Sequence, residues 1–202
     1  MKYQFKTALV LGAGVATVVG LVVAPLSADA IANSSTTTVN ATINPVITIS
    51  SGPTVGFTIT PTATGMSSSS SDTVSVSTNR SNGYNLKLED NDASSNLVSG
   101  ANNITPTSGT FAAPASMATA NTWGYRVDGA GTFGAGPTSA ETDVATLAGT
   151  WAAVPVLGSP NTIKTTASPG TSTTTVWYGA KANTSIPDGV YSDVVKYTAT
   201  TN

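Results

Sequence analysis

The stretch Val74-Ser75-Val76-Ser77-Thr78-Asn79-Arg80-Ser81-Asn82-Gly83-Tyr84-Asn85-Leu86-Lys87-Leu88 decides the fold class. Val74 and Val76 share one side of an alternating run, and Tyr84, Leu86 and Leu88 share one side of the next. Side chains of an extended strand point alternately to opposite faces, so each run has one apolar and one polar face. Asn82-Gly83 between them supplies the positive φ that a tight turn needs, and the segment reads as a β-hairpin. Glu89-Asp90-Asn91-Asp92 closes the second strand.

Upstream, residues 39–49 give the cleanest alternation, with Val39, Ala41, Ile43, Pro45, Ile47 and Ile49 on one face and Asn40, Thr42, Asn44, Val46 and Thr48 on the other. Pro45 cannot donate to a ladder, so this strand is expected at a sheet edge or with a bulge. Alternation resumes at Val55, Phe57 and Ile59, and residues 61–71, ending in five serines from Ser67, read as a loop. Downstream, residues 93–120 are rich in Ser, Gly, Ala and Pro, with a short helical turn expected at 114–120. Residues 123–127 form a strand, and 128–169 a long loop that tucks Trp151 and Val154 into the core. Residues 173–181 and 190–200 form a closing hairpin about the turn Ile186-Pro187-Asp188-Gly189. Seven to nine strands at this spacing predict an all-β protein, an Ig-like or jelly-roll-type β-sandwich. No internal repeat marks a solenoid.

The N-terminus reads as an export signal. Lys2 and Lys6 precede an apolar run, and Ala28-Asp29-Ala30 has the small-x-small pattern of a cleavage site, with Ala30-Ile31-Ala32 as a second. Residues 1–30 are therefore expected to be removed, leaving 172 of the 202 residues. Residues 31–37 are expected to be a flexible lead-in and 38–202 a single sandwich domain. The glycines of Val10-Leu11-Gly12-Ala13-Gly14-Val15 lie inside the apolar run and lack the βαβ context of a dinucleotide loop. The expected location is extracellular or at the cell surface, with membrane contact only through the signal segment.

Composition narrows the function. The net charge of −2 becomes −3 once Lys2, Lys6 and Asp29 are gone, and only 9% of residues are charged. Nucleic-acid binding needs clustered Lys and Arg, and none occurs. The chain has no cysteine and no histidine, which excludes disulfides, thiol chemistry, Ser-His-Asp and Cys-His machinery and His-based zinc sites. Glu89 and Glu141 are the only glutamates, and neither has an evident carboxylate partner for glycoside hydrolysis. The chain reads as a non-enzyme without an organic cofactor.

Three constellations remain. Glu89, Asp90 and Asp92 are the densest oxygen ligands, and calcium is the one ion they would suit, although the D-x-D-x-D-G spacing is absent. Trp123, Tyr125 and Trp151 are candidates for a sugar-stacking face, against the reading that such rings fill the core. Val39, Ala41, Ile43, Ile47 and Ile49 could serve as a donor strand that completes a neighbouring subunit's sheet, against the reading that they form the domain's own first strand.

Two segments carry a family resemblance. The segment from Ala182 to Tyr197, with Ile186-Pro187-Asp188-Gly189-Val190-Tyr191, resembles the last hairpin of many bacterial surface sandwiches. Ser77 to Leu86 together with Thr122-Trp123-Gly124-Tyr125 resembles uncharacterised secreted β-sandwich proteins, including relatives of the WxL wall-binding group. Trp123-Gly124-Tyr125 and Trp151-Ala152-Ala153 both lack the leucine of that motif. The resemblance implies a secreted bacterial surface sandwich. The function expected is structural or adhesive, with a cell-surface polysaccharide or protein as partner. A carbohydrate- or wall-binding module is the first alternative, and a self-assembling pilus-like subunit the second.

Overall fold

The computed structural model describes residues 33–137 and 139–202. The expected signal peptide, and residues 31–32 of the lead-in, lie outside these. The chain divides into a unit ending at Thr42 and a compact unit, Ile43–Asn202. The described residues contain no helix.

Among its described residues the second unit has nine strands: β1 Ile47–Ser50, β2 Met66–Thr78, β3 Tyr84–Asp90, β4 Leu97–Ser99, β5 Asn102–Pro106, β6 Thr122–Val127, β7 Asn161–Thr165, β8 Gly170–Ala182 and β9 Val195–Thr201. They form a six-stranded sheet in the order β1-β2-β8-β6-β5-β4 and a three-stranded sheet in the order β7-β3-β9. The arrangement is consistent with a β-sandwich. Val74, Val76, Tyr125, Val176 and Ala180 of the larger sheet are buried in one cluster with Leu86, Leu88 and Ile163 of the smaller. Across this core the phenols of Tyr178 on β8 and Tyr197 on β9 share a hydrogen bond of 2.6 Å.

The alternation of Val74, Val76, Leu86 and Leu88 is thus the core, but the turn between the two runs is not a hairpin. β2 pairs with β1 and β8, whereas β3 pairs with β7 and β9. The five residues from Asn79 to Gly83 carry the chain from one sheet to the other. Asn79 holds the departure, because its side chain accepts from Val46 N at 2.8 Å and donates to Asn44 O at 2.9 Å. Gly83 holds the arrival, at φ 73°, where a Cβ would lie 2.3 Å from Thr166 O. The expected closing hairpin is corrected in the same way, since β8 and β9 also belong to different sheets. Both edges of β3 are occupied, by β7 and β9, so neither chain neighbour can pair as a hairpin.

Other expectations change for reasons of packing. Residues 39–49 contribute only β1, which begins two residues after Pro45, so the proline lies outside the ladder, and β1 is an edge strand of the larger sheet. Val55, Phe57 and Ile59 pack against the core without belonging to a strand. Ser67 to Ser71, read as a loop, belong to β2. Consecutive residues of a strand face opposite ways, so the burial of Ser67, Ser68 and Ser69 means that both faces are covered there. Residues 93–120 hold β4 and β5 and no helix, and the long segment 128–169 holds β7.

That long segment also builds a second apolar cluster. Met117, Leu147 and Trp151 pack with Trp177, which faces away from its neighbours Val176 and Tyr178 on β8. β6 is consequently buried at all six positions. Gly179 is required here, because a Cβ would lie 2.6 Å from the Leu147 side chain and 3.0 Å from the Trp151 ring.

Candidate functional site

Two places bring chemistry-bearing side chains together. The first is a cleft of about 580 Å³ between β7 and β8. β6 covers the edge of β8 only from Val176 to Lys181, so Thr173, Thr174 and Thr175 lie beyond it. Among the described residues β7 pairs with β3 alone and offers its other edge. Lys164 bridges the two edges, donating from Nζ to Thr173 O at 2.6 Å. Phe111, Asp128 and the loop from Gly129 to Gly131 also line it. Asp128 is held firmly, because its Oδ1 pairs with the wholly buried Arg126 at 3.3 Å and its Oδ2 accepts from Trp177 Nε1 at 2.9 Å. Arg126 in turn donates to the carbonyls of Phe133 at 3.1 Å and Ala135 at 3.0 Å. Asp128, Lys164, Phe111 and a run of threonines thus share one cleft whose volume is in the range of ligand pockets.

The second place is the pole where β3 ends and the chain enters β9. Asp90, Asp92 and Asp193 bring one carboxylate oxygen each within 4.8 Å of one another. Asp90 is buried and Asp92 exposed. Burial above all pushes the Asp193 carboxyl up to about 7, and the neighbouring Asp90 adds to this. The adjoining cavity of about 290 Å³ is lined by Asp92, Ser94, Asn96, Val98, Ser192 and Asp193.

Of the expected ligand set, the structure brings Asp90 and Asp92 together and turns Glu89 away. Glu89 faces the other side of β3, where its carboxylate binds Lys196 at 2.7 Å and accepts from Gly158 N at 2.7 Å. The Lys196 hydrogen bond, followed by the Gly158 amide, holds that carboxyl below its usual value. Asp193 was missed because it stands about a hundred residues away in sequence. Its signal was the register of a pairing that the sequence does not display: Asp90 lies opposite Val195, so Asp92 falls beside Asp193.

The candidate stacking face is corrected. Trp123, Tyr125 and Trp151 are only 3%, 0% and 0% exposed. Trp123 stacks on Tyr178 with ring centroids 6.5 Å apart and donates to Ser95 O at 2.8 Å. Large rings bury the most apolar area per residue, and a core with few of them uses all three. The candidate donor residues Val39, Ala41, Ile43 and Ile49 are exposed, and Ile47 is half-buried against the core. Among the described residues no helix is long and apolar enough to cross a membrane.

Comparison of the chain with protein-family models, with curated proteins and with solved structures finds no match.

Proposed function

We propose that this chain is an exported extracellular or cell-surface protein, an Ig-like or jelly-roll-type sandwich that acts by structural and adhesive contact rather than by catalysis. The observation that carries the reading is the cleft between β7 and β8, where Asp128 is fixed by Arg126 and Trp177 beside Lys164 and the threonines of β8. Such a surface suits an extended, weakly charged partner rich in hydroxyls or amides, which describes a cell-surface polysaccharide or an extended protein segment. The low charge of the chain and the absence of histidine and cysteine support it. So do the lysine-led N-terminal segment and the resemblance to secreted surface sandwiches.

The test is retention of the protein on isolated cell-wall polysaccharide and on intact cells. Lys164→Ala and Asp128→Asn are expected to weaken retention about tenfold, the loss of one good polar contact, with the far-ultraviolet circular dichroism unchanged. Retention equal to that of the parent protein in both variants would sink the cleft as the adhesive surface.

A second reading, assembly through the N-terminal segment, is favoured by the exposure of Val39 and Ile43 at 88% and 84% and by the outer edge of β9, which pairs with no other strand among the described residues. An alternating apolar segment and an open sheet edge are the two halves of strand addition. Deleting residues 33–43, which removes no strand, should abolish concentration-dependent assembly seen by light scattering. Assembly that survives the deletion would dismiss this route.

A further inference from the structure

The acidic pole has an electrostatic problem that the protein part alone does not solve. Asp90, the last residue of β3, is 0% exposed. Its Oδ1 accepts from Asp92 N at 2.9 Å, and its Oδ2 is buried with no hydrogen-bond partner among the described residues. Asp193 is half-buried, with Oδ1 accepting from Val194 N at 2.7 Å and a buried Oδ2 that likewise has no partner among the described residues. The ion pairs found among the described residues, Arg126 with Asp128 and Lys196 with Glu89, lie elsewhere. A buried carboxylate oxygen without a donor is costly, and two of them facing each other repel as well. Either a proton or a cation must sit between them.

We infer that Asp90, Asp92 and Asp193 form a calcium site, with Asp90 Oδ2 and Asp193 Oδ2 as the buried ligands and Asp92 as the solvent-side ligand. The donor set is all oxygen, as a hard cation requires, and calcium accepts six to eight such ligands at irregular angles. The adjoining cavity supplies the remaining positions through oxygens of Ser94, Asn96 and Ser192 and through water. Magnesium demands a tighter octahedron and sheds its waters reluctantly, so it fits less well.

The position gives the ion a mechanical task. Ser192 and Val98 exchange backbone hydrogen bonds of 3.0 and 3.1 Å, which join the approach to β9 to β4 of the larger sheet. A cation held by Asp90, Asp92 and Asp193 would therefore fasten the end of β3, the start of β9 and the edge strand β4 at one point. Calcium at extracellular, millimolar levels is enough to fill sites of the weak class used by exported modules.

The experiment is thermal unfolding of the full chain at pH 7.5 after washing with EDTA, with residual calcium checked by atomic emission. Melting is recorded in EDTA, in 5 mM CaCl2 and in 5 mM MgCl2, and binding of CaCl2 is followed by calorimetry. Calcium is expected to raise Tm by about 5 °C, with magnesium giving less than half of that. Asp92→Asn, at an exposed position, is expected to abolish the calcium shift without lowering Tm in EDTA, because it removes one of the clustered negative charges. The same Tm in EDTA and in CaCl2 for calcium-free protein, with no heat of binding, would overturn the site. So would an Asp193→Asn variant that still shows the full calcium shift. Either result would assign the two carboxylates a shared proton instead.

Discussion

The serine end of β2 and the segment 39–49 carry opposite kinds of side chain and sit in opposite surroundings. Ser67, Ser68 and Ser69 are at most 1% exposed, while Val39 and Ile43 stand almost free in water. Taken one residue at a time, transfer free energies favour the reverse in both cases. The serines are tolerated because they are small and because most of their polar groups are satisfied. They lie in register with Lys181, Ala180 and Gly179 of β8. On the other side Ser67 exchanges backbone hydrogen bonds with Val144, and Ser69 N donates to Glu141 O at 2.8 Å. The Ser68 hydroxyl accepts from Asp143 N at 3.0 Å and that of Ser69 from Glu141 N at 3.3 Å. Burial within a sheet is thus governed by fit and by hydrogen-bond satisfaction. Apolarity alone leaves Val39 and Ile43 with surface that only a further contact would cover.

The sharpest way to break this comparison is to put an apolar side chain where the small serine stands. Ser68→Leu should lower stability by about 3 kcal/mol in urea unfolding, from overpacking against covered faces and loss of the Asp143 contact. An unchanged midpoint would mean that the site has room and that the serines are not there for their size. Buried hydroxyls can also be challenged by pH. Burial raises the Tyr178 and Tyr197 phenols above their ordinary value. The folded state then holds its protons longer than the unfolded chain does. Their contribution is complete below the unfolded value of about 10 and is lost progressively as pH rises past it. Unfolding midpoints should therefore fall continuously above about pH 10, and less steeply in Tyr197→Phe; parallel curves would remove the phenol pair from the account.

A finer contrast lies within the serines themselves. Ser67 Oγ is buried without a partner, whereas Ser68 Oγ has one. Ser67→Ala should stabilise the protein by about 1 kcal/mol and Ser68→Ala should destabilise it by about the same amount. Equal changes in both would show that hydrogen bonding does not separate them. The smallest effect is expected at the other member of the comparison. Val39→Ser combined with Ile43→Ser should shift monomer stability by less than about 0.5 kcal/mol. A Tm drop of several degrees at low protein concentration would show that these side chains pack within the monomer.

Much of this architecture was legible. Val74, Val76, Leu86 and Leu88 announce buried faces by alternation, whereas the hairpin expected at Asn82-Gly83 is a crossing between sheets. Asp90 and Asp92 were visible as a pair of close carboxylates because they are near neighbours in sequence. Asp193 was not, and neither was the cleft of Asp128 with Lys164, because each depends on strands brought together from distant parts of the chain. β7 and the serine end of β2 escaped notice for a related reason. Short or hydroxyl-rich runs carry no apolar period, and their extended form is imposed by the strands beside them.

By itself the sequence determined an all-β chain with little charge, no thiol or imidazole chemistry and a set of apolar faces ready to be buried. These are local properties of side-chain type and of a two-residue period. Only the tertiary structure decided which sheet each strand joins, turning two apparent hairpins into crossings between sheets. It also decided that serines would be covered and tryptophans withdrawn from the surface, and that Asp193 would meet Asp90. Those outcomes rest on hydrogen-bond partners and packing between residues far apart in the chain, which no local pattern encodes.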